Sequence, residues 1–110
     1  MRLLKKIALA TAIASIAPFA FADTASDLAE YVGWEIIHAG RVTGFIEENG
    51  KRSDDFEGCE WGRKLIIDNR FTVKCTTYSY SYSYNPQAVI LQNGSRLLLI
   101  VGNNKYSVSR

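Results

Sequence analysis

The chain is short of the residues that usually carry chemistry. Its 110 residues include one histidine, one methionine, two prolines and two cysteines. A zinc site needs several Cys, His or acidic ligands, and His38 has no second histidine to join it. The cysteines, Cys59 and Cys75, have fifteen residues between them, so they do not form the C-x-x-C pair typical of thiol redox centres. No G-x-S-x-G, H-E-x-x-H or P-loop spacing occurs anywhere. No metal or cofactor is therefore expected, and no catalytic residue stands out.

Charge of one sign is lacking too. The full chain has 13 basic and 11 acidic residues, but Arg2, Lys5 and Lys6 belong to a leader. Residues 1–22 have a basic front, an eleven-residue apolar run at 7–17, a helix-breaking Pro18, and Ala20-Phe21-Ala22 as a small-x-small cleavage site. That is the layout of a secretory signal peptide. The run is well short of the ~20 residues that span a bilayer. Cleavage after Ala22 leaves 88 residues with 10 basic and 11 acidic side chains, a net of −1. That balance excludes an electrostatic nucleic-acid binder and gives no charge for an anionic membrane. The mature protein, residues 23–110, is expected in the periplasm or outside the cell, as one β-rich domain without stable membrane insertion.

A domain of this size hides only roughly 60–65% of its unfolded surface, so cross-links help it. In an oxidising compartment Cys59 and Cys75 are expected to pair with each other. The closed loop has a length for which chain-entropy models give ~3 kcal/mol.

After a short helical turn near residues 23–31, with Thr24 as its cap, the sequence changes character. Val, Ile, Thr and aromatic residues run in groups of four to nine, broken by Gly, Asn and Asp, which is the β signature. The pattern predicts strands at 34–38, 41–47, 64–67, 70–82, 87–91, 96–101 and 105–108. Asp68-Asn69, Asn93-Gly94 and Asn103-Asn104 supply two-residue hairpin turns. The five apolar residues at 97–101 point to a strand covered on both faces. Residues 47–57 read as a solvated, flexible charged loop. The fold expected is all-β, a small, partly open barrel of six or seven short antiparallel strands with a short N-terminal helical turn and one disulfide; a two-sheet sandwich is the alternative.

Tyr78-Ser79-Tyr80-Ser81-Tyr82-Ser83-Tyr84 is the most unusual segment. In an extended chain its tyrosines share one face and its serines the other. The large residues change parity between Cys75 and Tyr78, so either a bulge flips the register or the strand moves into new surroundings. The rings could pack over the domain's own sheet, present a binding face, or pair edge to edge with another copy. Tyr80 and Tyr82 are the best placed to face outward. Tyr78 is expected to pack near the disulfide, Tyr84 to sit at the Asn85-Pro86 turn, and Trp61 to be a neighbour if the cross-link draws its turn alongside.

The stretch from Phe56 to Lys64 (FEGCEWGRK), followed by a strand, Cys75, the Tyr/Ser run and Pro86-Gln87-Ala88-Val89-Ile90-Leu91, resembles a family of small, uncharacterised exported proteobacterial proteins. The shared features are an F-E-G-C-acidic-aromatic-G motif and a Tyr/Ser-rich strand, and the likeness covers residues 31–108. It implies a compact, single-disulfide, β-rich exported domain. It carries over no catalytic residue, ligand or partner.

Two functional expectations follow. One is a non-catalytic binding module for a cell-envelope protein or glycan. The other is a small envelope enzyme using His38 and a nearby carboxylate. Glu57 and Glu60 flank Cys59 like a glycosidase pair, but 88 residues hardly build a cleft around a polysaccharide. Intact-mass measurement of the protein recovered from cells should place its N-terminus at Asp23; a chain retaining residues 1–22 would overturn the leader reading.

Overall fold

Short runs of branched apolar residues, separated by residues that tolerate positive φ, form an antiparallel sheet that closes on itself. The structure, a computed structural model, describes residues 24–110; the leader read over residues 1–22 lies outside the described residues. Residues 24–29 form the expected helical turn, which takes in Thr24. Tyr31 N–H and Val32 N–H donate to the Leu28 and Ala29 carbonyls at its end, at 3.0 and 3.4 Å. No described helix is long and apolar enough to cross a membrane.

From Trp34 onward the chain is all β. The strands are β1 (Glu35–Ile46), β2 (Arg52–Ser53), β3 (Lys64–Ile67), β4 (Phe71–Cys75), β5 (Gln87–Asn93), β6 (Arg96–Val101) and β7 (Asn104–Ser109). Six of them close a barrel in the order β1-β3-β4-β7-β6-β5, with β5 pairing back onto β1, and β2 lies outside it. Every pairing is antiparallel. β1 closes the circle because it is long: Glu35 to Arg41 pair with β5, and Val42 to Ile46 pair with β3. The two strands expected at 34–38 and 41–47 are thus one strand. Gly40 carries it through the crossing, since a Cβ there would meet the Asp68 carboxylate.

The hairpins follow from turn chemistry. Asp68 and Asn69 both hold positive φ, at 53° and 54°, as a type I′ turn requires. The other two turns sit at Gly94-Ser95 and Gly102-Asn103, each one residue from the expected pair. Glycine adopts φ of 63° and 60° there without a Cβ clash, and so takes the first central position.

Side chains alternate across the barrel wall. Val42, Leu65, Ile67, Val73, Ile90, Leu97, Leu99, Val101, Tyr106 and Val108 point inward and are buried. Each fully buried Val, Leu or Ile contributes roughly 1.5–3 kcal/mol. The apolar run at 97–101 keeps this alternation: Leu98 and Ile100 face outward, half-buried, beside their register partners Leu91 and Val89. The second face is therefore an apolar stripe with partial solvent access.

Two expectations are corrected. The strand expected over 70–82 ends at Cys75, because the tyrosines that follow leave the barrel wall. The charged loop at 47–57 is not wholly solvated. It folds back through β2 onto Phe45 and Ile46, and Phe56 is wholly buried with its ring edge-on to Tyr106 at 5.8 Å. One large apolar side chain among the charges anchors the segment to the core.

Cys59 and Cys75 are bonded, buried and 5.5 Å apart at Cα. The bond joins the 58–62 turn to the end of β4, where no strand ladder connects them. Replacing both cysteines with alanine should lower unfolding free energy by about 2–5 kcal/mol, measured by urea titration against the oxidised parent.

Candidate functional site

The site begins where β4 stops. The Thr76 N–H and Oγ1 donate to the Ser107 carbonyl, at 3.2 and 2.8 Å, and the Thr76 N–H makes the last backbone hydrogen bond to β7. The chain then crosses to pair with residues 56–59. Cys59 and Ser79 exchange backbone hydrogen bonds at 2.8 and 2.9 Å, and Phe56 and Ser83 exchange two at 2.9 Å. The ribbon is thus an outlying strand segment, held by two bridges rather than a full ladder. Thr77 bends the chain between the two environments, which resolves the change of parity between Cys75 and Tyr78.

Gly58 makes this close approach possible. Its φ is +80°, and a Cβ on it would collide with the Ser79 carbonyl oxygen. Any other residue would push the ribbon's backbone away.

Ser81 and Ser83 are half-buried, while Ser79 and the four tyrosines are exposed. The Ser81 hydroxyl accepts from Asn104 Nδ2 at 3.1 Å. It lies beside the Tyr106 hydroxyl, which is buried without a hydrogen bond of good geometry among the described residues. Burial pushes the Tyr106 phenol above its ordinary pKa, and the nearby Ser81 side chain offsets part of that. On the other face Tyr78, Tyr80, Tyr82 and Tyr84 are 73%, 65%, 59% and 74% exposed. Tyr80 and Tyr82 stand outward as expected. Tyr78 does too, contrary to expectation, because the disulfide beside it packs into the core and leaves the next outward position in solvent. Tyr84 precedes Asn85, whose φ of 51° turns the chain toward β5 and whose carbonyl accepts from Arg41 Nη1 at 2.8 Å.

Trp61 is 68% exposed on the disulfide-linked turn. Since Cys59 pairs with Ser79, that turn lies at the Tyr78 end of the ribbon. Trp61 also edges a polar recess of about 400 Å³ with Glu48, Asn49, Lys51 and Glu60.

Arg63 holds this region together, and sequence reasoning missed it. Its guanidinium is buried, and every N–H it carries is used. Nε and Nη2 donate to the Glu47 carboxylate at 2.7 and 2.8 Å. Nη2 also donates to Glu60 Oε2 at 3.0 Å, and Nη1 to the Glu57 and Gly58 carbonyls at 3.2 Å each. Its Cζ lies 4.3 Å from the centre of the Phe45 ring. The hydrogen bond to Arg63 lowers the Glu47 pKa against the opposing effect of burial, and the bond to Glu47 raises that of Arg63. Glu57 and Glu60, read as a possible carboxylate pair, instead serve this cation through a carbonyl and a carboxylate.

His38 lies within β1, and its Nε2 is 2.8 Å from Asp68 Oδ2. The Arg41 N–H, 2.9 Å from the other carboxylate oxygen, and the His38 side chain both lower the Asp68 pKa. An ionised Asp68 only accepts, so His38 Nε2 is the donor in this contact. The imidazole meets Phe71 edge-on at 4.6 Å, beside a largely apolar cavity of about 440 Å³ lined by Val73, Ile90 and Leu97. Among the described residues no cluster of three or more His, Cys, Asp or Glu has the geometry to hold a metal ion.

Comparison with protein-family models, with curated proteins and with solved structures finds no match for this chain. What it does must be argued from the geometry alone.

The Glu47 pKa is depressed below its ordinary 4.5. Its ion pair therefore adds stability above that pH and loses it as the pH falls through the lower folded value. Glu47→Gln should cost on the order of 1–3 kcal/mol at neutral pH. In denaturant titrations from pH 7 to pH 3, its unfolding free energy should converge on the parent's below pH 4.5.

Proposed function

We propose that this chain is an exported, non-catalytic binding module of the cell envelope whose partner-facing surface is the tyrosine ribbon with Trp61. The supporting observation is four tyrosines exposed on one face of a segment clamped outside the barrel. Exposed aromatic clusters on a small soluble domain mark interaction surfaces. Tyr and Trp offer large, rigid, amphipathic contact areas with few rotatable bonds. The buried disulfide supports export, since such bonds persist in oxidising compartments.

The partner class is an envelope protein or glycan. Trp61 beside a recess rich in carboxylate and amide acceptors suits sugar hydroxyls, with the ring against a sugar face. The uncharged ribbon suits the apolar centre of a protein interface. Neither needs a nucleic acid, a metal or a cofactor.

A second reading, a small envelope enzyme, has one observation in its favour: the His38–Asp68 pair beside the apolar cavity. The two readings separate by mutation. Crosslinked capture from a native periplasmic extract, with cell-wall glycan as a parallel bait, should be abolished by Tyr80→Ala with Tyr82→Ala. That double variant should change stability by only about 1 kcal/mol, because both side chains are exposed. His38→Ala should leave capture intact. Capture that survives the tyrosine changes and fails with His38→Ala would favour the enzyme.

A further inference from the structure

In an antiparallel pair, residues whose N–H and C=O face the partner alternate with residues whose groups face away. Ser79 and Ser83 face residues 56–59 and exchange hydrogen bonds with them. Tyr78, Tyr80 and Tyr82 therefore turn their backbone groups to the opposite edge. Among the described residues these groups make no hydrogen bond. The ribbon is a free strand edge.

Natural edges are usually blunted by lysine, inward-pointing charge, proline or a bulge. This one has no such device. No charged residue occurs between Lys74 and Arg96, and proline comes only at position 86, past the tyrosines. The irregularity in the pairing lies on the partner segment: Phe56 and Cys59 are three apart where Ser83 and Ser79 are four, and Gly58 absorbs the difference. The ribbon itself keeps its alternation.

The sequence also specifies an occupant. Tyr78 to Tyr84 reads the same in both directions about Ser81. A two-fold axis through Ser81 would set Tyr80 of one copy opposite Tyr82 of the other, and Tyr78 opposite Tyr84. The Tyr80–Tyr82 pair, formed twice across the axis, joins outward-facing backbone groups, so the free donors and acceptors at these positions are satisfied together. Such an isologous contact is the form that most homodimers use. With no charge on either edge, no like-charge repulsion opposes it.

We infer that two copies of this chain pair antiparallel through the free edge of the tyrosine ribbon, on a two-fold axis at Ser81. The pairing sets the tyrosines of both copies on one face and doubles the aromatic surface. It goes beyond the binding module proposed above, and the two fail separately: dimerisation is read without any partner, and partner capture without any dimer.

The test is sedimentation velocity of the mature protein from micromolar to millimolar concentration, with amide hydrogen exchange read at Tyr80 and Tyr82. A reversible dimer is expected, with exchange at both amides slowing as the dimer fraction rises. Tyr80→Pro removes an N–H that has no partner among the described residues, once in each copy. It should weaken dimerisation at least about tenfold. Tyr80→Ala removes the ring, keeps the N–H and should retain the dimer. Circular dichroism checks the fold of each variant; if the proline variant is unfolded, Tyr82→Lys, which puts a charge on the paired edge, takes its place and should weaken the dimer likewise. A protein that stays monomeric throughout, a dimer in which both amides exchange as freely as in the monomer, or a dimer that survives the edge variant would each overturn the inference.

Discussion

The Arg63 guanidinium sits where three chain segments meet: the end of β1 with the hairpin to β2, the 57–60 turn, and the start of β3. The first and third already pair through Ile46 and Lys64, and the turn is the one that no ladder joins to them. Glu47 belongs to the first, Glu60 and the two carbonyls to the second, and Arg63 itself leads into the third. A buried cation is stable only when its donors are satisfied, and here all of them are. The Arg63 carbonyl also accepts from the Cys75 N–H at 2.8 Å, so the same residue fixes the height at which β4 ends. Without this centre the disulfide turn keeps its covalent tie to Cys75 and the Gly62 N–H bond to the Cys75 carbonyl, but loses its tie to the end of β1.

The barrel and the ribbon obey different physics. In the barrel, alternate residues enter a common core, and each strand is held on both edges by its neighbours. The ribbon has backbone bridges on one edge, polar contacts through Ser81 beneath, and solvent on its aromatic face. Its geometry depends on the disulfide, on Gly58 and on the turn at Asn85. A protein that needed only the barrel could have joined β4 to β5 by a far shorter connection.

Much of the barrel was legible in the sequence. β3 and β6 fall at 64–67 and 96–101 as the pattern predicts, because apolar runs bounded by turn residues leave little freedom. β1 was read as two strands because Ala39-Gly40 interrupts its pattern; its continuity depends on β5 and Asp68, both distant in sequence. The reading of 70–82 as one strand failed for a related reason. Tyr and Ser fit an extended chain equally well in a wall or outside it, and only the pairing with 56–59 decides. The disulfide and the outward Tyr80 and Tyr82 were legible from compartment and parity, and the outward Tyr78 was not. Arg63 was not, since a buried arginine has the same letter as an exposed one and its partner Glu47 lies sixteen residues away. The cue was the close spacing of Glu57, Glu60 and Arg63 around Cys59, which had been read as a carboxylate pair.

Both ends of the ribbon are fastened before any partner arrives. Cys75 ties one end through the disulfide, and the Pro86 carbonyl ties the other by accepting from the Val42 N–H at 3.0 Å. A free loop of this length would lose backbone freedom on binding, at roughly 1–2 kcal/mol for each residue ordered. Here folding has already removed that freedom, and only the rotations of the rings remain to be restricted. Association at this surface is therefore expected to be limited by desolvation of the phenols rather than by ordering of the chain.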